Sequence, residues 1–461
     1  MNRKLVAGVD SSTQSVKVVV RDSESGELVR EARGAHPDGT EIDPTIWWDE
    51  LNKSLSGVLE GVEAIAIGAQ QHGMVTVDEA GSIVRPALLW NDTRSAQAAA
   101  DLVEEFGGRN NWAQATGSVP VAAFTVTKLR WLADSEPEIA KRVAQVMLPH
   151  DYLTWKLAGA KSNPTTDRGD ASGTGYFSPA ENKYRLDLLK LAFSREISVP
   201  EVVAPNAIVG ETFNGIKLSA GTGDNMAAAL GLGATSGDVV VSLGTSGTAY
   251  AVSEVPSFDE SGIVAGFADA TGKYLPLACT LNAARILTAA AQVLKVDLAE
   301  FSKLALAAQP GAGGLVLLPY LDGERTPNLP NASGTMFGMN RNNMTAENFA
   351  RAAVEGMLCG LADAVQALIE LGVQPKRISL IGGAAASEAV QKVASTLFQV
   401  PVVIPPVAEY VADGAARQAA WALSGEPTAP TWQVGNTLVL EPDFHSEVLA
   451  AYRASFKALH G

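Results

Sequence analysis

A chain of 461 residues, 47% hydrophobic and 18% charged, can bury a large core and is too long for one domain, so two are expected. Its 35 basic against 50 acidic residues leave a formal charge of −15, which argues against nucleic acid or an anionic membrane as partner, although backbone amides can still bind a phosphate locally. Cys279 and Cys359 lack CxxC spacing and read as buried thiols of a cytoplasmic protein, while five scattered histidines show no zinc spacing and no export signal or bilayer-length apolar run stands out.

Taken in order, the apolar runs 5–10 and 15–21 predict an N-terminal β-hairpin with Asp10 at the end of its first strand. Its turn, Ser11, Ser12, Thr13 and Gln14, offers N–H and O–H groups to an anion, and the neighbouring carboxylate can hold a hydrated divalent cation. An ordinary hairpin fits the same residues. The strand-like run 65–68 ends in Gln70, Gln71, His72 and Gly73, where amide and imidazole groups suit a polyol, and a structural histidine is the plain alternative. Farther on, Leu129, Trp131 and Leu132 have helical spacing and are expected in the core, and Asp151 and Asp170 are expected in solvated loops.

The stretch 220–226 sets a carboxylate in a Gly-rich turn. Gly221 and Gly223 permit a sharp bend and close backbone approach, and the Ala-rich run behind them predicts a helix with Asp224 at its N-terminus, facing a crevice. A simple capping role is the competing reading. The hairpin device then returns: the 239–243 strand, the turn Gly244, Thr245, Ser246 and Gly247, and a second strand, as in a duplicated domain.

In the second half, Asp322, Glu324 and Arg325 crowd a Pro-bounded loop and read first as a rigid interdomain ion-pair cluster and second as a nucleotide contact. A helix is expected over 343–371. The strand 377–381 leads into Gly382, Gly383, Ala384 and Ser387, whose two glycines leave room for a flat base or ribose, and a helix follows over 388–398. Helices over 408–424 and from about Ser446 flank a Pro-rich linker at 427–430. Neither GxxxxGK[ST] nor a strict GxGxxG occurs.

Paired hydroxyl hairpins, a Gly-Gly junction and a duplicated α/β plan resemble the actin, hexokinase and Hsp70 ATPase superfamily. More closely, the chain resembles the FGGY carbohydrate kinases over almost its whole length. The likeness rests on an ordered set: 8–13, Gln70 to Gly73, 89–94, 124–131, Gly223 to Asn225, 242–247, the long run 317–327 and 381–384. It implies an α/β fold of two duplicated, ribonuclease H-like domains, 1–235 and 236–461, with a ligand cleft between them and hinge closure. It implies ATP-dependent phosphorylation of a sugar, closest to the branch acting on D-xylulose at its terminal hydroxyl. By resemblance, Asp224 is the base; Gln71, His72, Gly73 and Asn225 bind the sugar; Asp10 positions Mg2+; Ser11 to Gln14 and Gly244 to Gly247 cradle the phosphates; and Gly382, Gly383, Ala384 and Ser387 meet the adenosine. Homodimers are common in that family. Gln71 departs from the methionine usual at its position. A sister kinase of ribulose, glycerol, gluconate or rhamnulose, or an actin-like or chaperone-like ATPase, are the alternatives.

Overall fold

The computed structural model describes residues 3–433 and 435–461, which divide into two compact units. The first takes the chain up to Ala234 and adds Glu254–Leu275 and Ala408–Gln433. The second takes Thr235–Ser253, Pro276–Val407 and the residues from 435 onward. The division is therefore not a single cut along the chain.

In the first unit, β-branched residues make the central sheet: Val6, Val9, Val16, Val18, Val19 and Val20 are all buried. Strand Leu5–Ser11 pairs antiparallel with Ser15–Asp22, forming the expected hairpin, and parallel with Val62–Ala69. The sheet order is Ile208–Glu211, Lys217–Ser219, Val62–Ala69, Leu5–Ser11, Ser15–Asp22, Leu28–Ala35, and the short strand Thr222–Gly223 also pairs with Val62–Ala69.

One face of this sheet is covered by helix Tyr410–Ser424, whose Ala412, Ala415, Ala416 and Ala419 pack with Val6, Val19, Ala64 and Ala66. Small residues allow the backbones to touch. A Cβ on Gly8 would lie 2.0 Å from the Ala412 carbonyl oxygen. On Gly414 it would lie 1.8 Å from that of Ala227, in helix Asp224–Leu232. The same helix is pinned by ion pairs from Arg21 to Asp413 and from Lys17 to Glu409, both 2.6 Å.

The second unit repeats the hairpin-plus-parallel-neighbour plan. Strand Asp238–Leu243 pairs antiparallel with Gly247–Ala251 and parallel with Arg377–Ile381, in the order Tyr274–Thr280, Gly247–Ala251, Asp238–Leu243, Arg377–Ile381, Val402–Ile404, Leu438–Leu440. Helix Ala346–Glu370, N-capped by the Thr345 hydroxyl, runs through this unit with Ala353, Val354, Leu358, Leu361 and Leu368 buried. It is long and apolar enough by length and composition to cross a membrane, which the sequence reading overlooked, and 72% of its most apolar window is buried in protein. Helices Glu388–Leu397 and Ser446–His460 lie where the sequence predicts them.

Candidate active site

Three adjacent parallel strands bring the first unit's chemistry to one sheet end. Asp10 aligns with Gly68 and Ser11 with Ala69, while Thr222 aligns with Gly68 and Gly223 with Ala69. The 12–14 turn, the Gln70 to Gly73 segment and Asp224 thus leave the sheet side by side. The Gln70 N–H donates to the Ser11 carbonyl, 3.1 Å.

Asp224 is the first residue of its helix, and Gly223 is the cap. The carboxylate accepts from the Asn225 N–H at 2.8 Å and from its Nδ2 at 2.9 Å, so it closes no helix end beyond its neighbour. By surface area Asp224 is only partly buried, yet protein atoms crowd its carboxyl enough that burial pushes it up to about 7. The Asn225 N–H opposes this rise and the charge of Asp10 adds to it.

Asp10 is buried, and burial pushes it up to about 6 against the pull of Lys17, whose Nζ is 3.6 Å away. Its Oδ1 has no hydrogen-bond partner among the described residues. An orphaned carboxylate oxygen beside a hydroxyl-rich turn fits a hydrated divalent cation. Within that turn, the Ser12 hydroxyl donates to the Ser15 carbonyl at 2.9 Å, Thr13 accepts from Trp90 Nε1 at 2.9 Å, and Gln14 is exposed. Trp90 thus braces the hairpin from outside it.

His72 adopts the left-handed region, φ 66°, rare for a bulky residue. Its Nδ1 lies 2.6 Å from the Gly173 carbonyl, which can only accept, so the proton sits on Nδ1. Gly173 must be glycine, because a Cβ there would fall 2.9 Å from that ring nitrogen. The ring packs beside Phe124, centroids 4.8 Å apart. Gln71 is buried and its Oε1 lies 3.4 Å from Asn225 Nδ2, while its Nε2 has no partner among the described residues. Gly73 is packed against Pro149, a structural reason for a residue expected at the sugar.

Behind the Asp224 turn lies a network that sequence reasoning missed. Asp151 and Asp170, expected in solvated loops, are buried with His150, whose Nδ1 is 2.6 Å from Asp170 and whose Nε2 is 3.2 Å from Asp151. Burial alone would lower the imidazole, but the carboxylates of Asp151, Asp170 and Asp167 outweigh it and raise it to about 9. The ring lies under Gly221, where a Cβ would be 2.6 Å from its Cδ2, and Asp167 accepts the Thr222 hydroxyl at 2.8 Å. Gln418 donates to the Gly221 carbonyl at 3.1 Å. The spacing of His150, Asp151, Asp167 and Asp170 carried no periodic signal of burial. Trp131 is likewise not core: it is half-exposed, with the guanidinium carbons of Arg85 and Arg94 within 5.3 and 5.1 Å of its ring centre.

In the second unit, the 244–247 turn and the 382–386 junction follow adjacent parallel strands, with Ser242 aligned to Ile381. Gly244 and Thr245 are exposed, Ser246 is intermediate, and Gly247 is buried against Thr280. Gly382, φ 89°, could not carry a Cβ, which would lie 2.7 Å from the Leu243 carbonyl oxygen. Gly383 has nothing among the described residues within 4 Å of such an atom and leaves an open platform. Ala384 faces the interior, and the Ser387 hydroxyl lies 3.4 Å from that of Ser302. The 322–325 loop is not the expected ion-pair cluster. Asp322 pairs with Arg285 at 2.5 Å, whereas buried Glu324 accepts from the N–H groups of Leu281 and Arg325 and from Asn282 Nδ2.

Two family models cover nearly the whole chain: the N-terminal domain of the FGGY family of carbohydrate kinases matches residues 5–236, and its C-terminal domain matches 239–423. The chain belongs to the FGGY family of carbohydrate kinases. This FGGY kinase is 46% identical over 449 residues to the xylulose kinase of Streptomyces coelicolor, covering 94% of this chain and 91% of that one. It matches the crystal structure of xylulose kinase from Bifidobacterium adolescentis with a TM-score of 0.92 at 45% identity, over 99% of this chain and 100% of that one. Plasmodium falciparum glycerol kinase with ADP matches at a TM-score of 0.84 but 18% identity, covering 99% of this chain and 97% of that one, a likeness of fold alone. The kinase thus carries the two-domain, actin/hexokinase-like fold of its family.

Proposed function

We propose that this kinase transfers the γ-phosphoryl group of ATP to the terminal C5 hydroxyl of D-xylulose, with Asp224 as general base. The observation that carries the reading is the convergence of Asp10, His72 and Asp224 at the end of three neighbouring strands, in a chain 46% identical to a xylulose kinase.

Phosphoryl transfer needs little covalent help, so positioning and charge stabilisation do most of the catalysis. The sugar hydroxyl gives its proton to the Asp224 carboxylate while its oxygen bonds to the γ-phosphorus and the bond to the ADP oxygen breaks. A carboxyl held near 7 suits proton abstraction, because it is ionised in a large fraction of molecules at neutral pH and is a stronger base than an ordinary aspartate. Asn225 orients it through two hydrogen bonds. His72, its ring held through Nδ1 by the Gly173 carbonyl, lies beside the sugar hydroxyls, and the Gln71 amide offers a donor.

Asp10 would hold Mg2+ through water, and the ion would offset charge on the β and γ phosphates. The 11–14 and 244–247 turns supply phosphate contacts, and the platform at Gly382 and Gly383 supplies the adenosine surface.

A coupled ADP assay with D-xylulose, D-ribulose, glycerol, D-gluconate and L-rhamnulose tests the substrate, and D-xylulose is expected to give the highest kcat/KM. A sister substrate turned over faster would overturn that choice. Asp224→Ala is expected to lose about 10²-fold or more in kcat while ATP still binds. Normal turnover in that variant would remove Asp224 from the role of base.

A further inference from the structure

Lys128 is fully buried in helix Thr125–Ser135, on the same face as Leu129 and Leu132, where a lysine has no ordinary reason to sit. Its Nζ donates to the carbonyl of His72 at 2.9 Å and to that of Ala123 at 2.5 Å. The Thr125 hydroxyl, one turn earlier, donates to the same His72 carbonyl at 3.1 Å. Two side chains of one helix therefore converge on a single carbonyl, and that carbonyl belongs to a residue in left-handed conformation.

A bulky residue keeps that conformation only where its surroundings over-determine it. The plane of the 72–73 peptide sets the direction of the His72 Cα–Cβ bond, so fixing the carbonyl fixes where the ring starts. The other end of the ring is fixed by the Gly173 carbonyl, 2.6 Å from Nδ1. We propose that Lys128 is a positioning residue for sugar binding: with Thr125 it clamps the His72 carbonyl and so holds the imidazole in one orientation at the sugar site.

This rests on the assignment of His72 to the sugar site. The burial of Lys128 is consistent with its partners, since burial pulls its ammonium down to about 7, opposed by the charge of Asp92. Protonated or neutral, the amine has at least two N–H groups, enough for the two carbonyls. The Lys128 side chain therefore serves as a fixed pair of donors.

Lys128→Met keeps the length and apolar body of the side chain and removes both donors. Its fold is checked by circular dichroism and thermal melting, and its kinetics are then measured with D-xylulose and ATP varied separately. The expected result is a rise of about tenfold in the sugar KM, the loss typical of a buried hydrogen bond, with the ATP KM unchanged and kcat at saturating sugar within about twofold. A helix that is merely weakened would lower the melting temperature and leave this split absent. Thr125→Val, a milder change at the same carbonyl, is expected to raise the sugar KM by a smaller factor, and it decides the matter should Lys128→Met not fold. An unchanged sugar KM in folded Lys128→Met, or in Thr125→Val where the methionine variant does not fold, overturns the proposal. So does a parallel rise in both KM values. Measuring His72→Ala beside them separates the two layers. An unchanged sugar KM there removes His72 from the sugar site and the clamp with it. A raised one with unaffected Lys128→Met removes only the clamp.

Discussion

At the scale of single residues, Asp224 and Asp10 share one electrostatic problem. Each carboxyl is raised by burial, and the negative charge of Asp10 raises Asp224 further. The proposed role of Asp224 as base needs the ionised form, so on that proposal kcat/KM of the wild-type protein should climb as pH rises through about 7 and level off above it. Asp10→Asn deletes the neighbouring negative charge, which makes the Asp224 anion easier to form. Its carboxyl should then titrate at lower pH than in the wild type, a shift that a ¹³C NMR titration of the ligand-free protein reads without needing activity. A shift to higher pH, or none, would mean that the two acids do not sense each other. Asp224 stood out in the sequence because Gly221 and Gly223 just before it mark a sharp turn into a helix. The left-handed His72 was legible in identity but not in conformation, since that is imposed by Gly173, Thr125 and Lys128, residues from 53 to 101 positions away.

Among elements, the pairing of helix Asp224–Leu232 with helix Tyr410–Ser424 decides whether Asp224 has a fixed platform. Backbones meet at Gly414 and Gly231, where a Cβ would lie 1.8 Å from the Ala227 carbonyl oxygen and 2.2 Å from that of Tyr410. Backbone atoms cannot swing aside as a flexible side chain can. Gly414→Ala is therefore expected to cost about 3 kcal/mol in urea unfolding and to lower turnover as the helix carrying Asp224 shifts. A change below about 0.5 kcal/mol would show that the helices have slack. Beneath the same turn, His150, Asp167 and Gln418 hold Gly221 and Thr222 from three separate elements. None of these contacts follows from spacing, because the partners are far apart in the chain. By contrast, the two hairpins, the 346–370 helix and the strand before Gly382 were readable from local pattern, as their apolar periodicity and turn residues act within a few positions.

For the whole molecule, the first unit is assembled from three stretches of chain, and helix Tyr410–Ser424 is what covers Val6, Val19, Ala64 and Ala66. A fragment ending at Ala234 would leave that face bare, even though the family's N-terminal match ends at residue 236. Such a fragment is expected to be unfolded or aggregated by circular dichroism and to bind no D-xylulose. Joining residues 408–433 to it through a flexible linker should restore at least part of both properties, and a soluble, sugar-binding 1–234 fragment would contradict this account of its core.

The sequence by itself determined the duplicated α/β plan, the family and the identity of the acid in the Gly-rich turn. Those depend on turn chemistry, apolar period and motif order, all of which act locally or survive as a string. Only the tertiary structure decided that Asp151 and Asp170 are buried partners of His150, that Lys128 grips the His72 backbone, and that a helix from near the chain's end completes the first unit. The physical reason is that burial and hydrogen bonding are properties of neighbours in space, and a charged side chain carries no mark along the chain of which distant carbonyl or carboxylate will meet it.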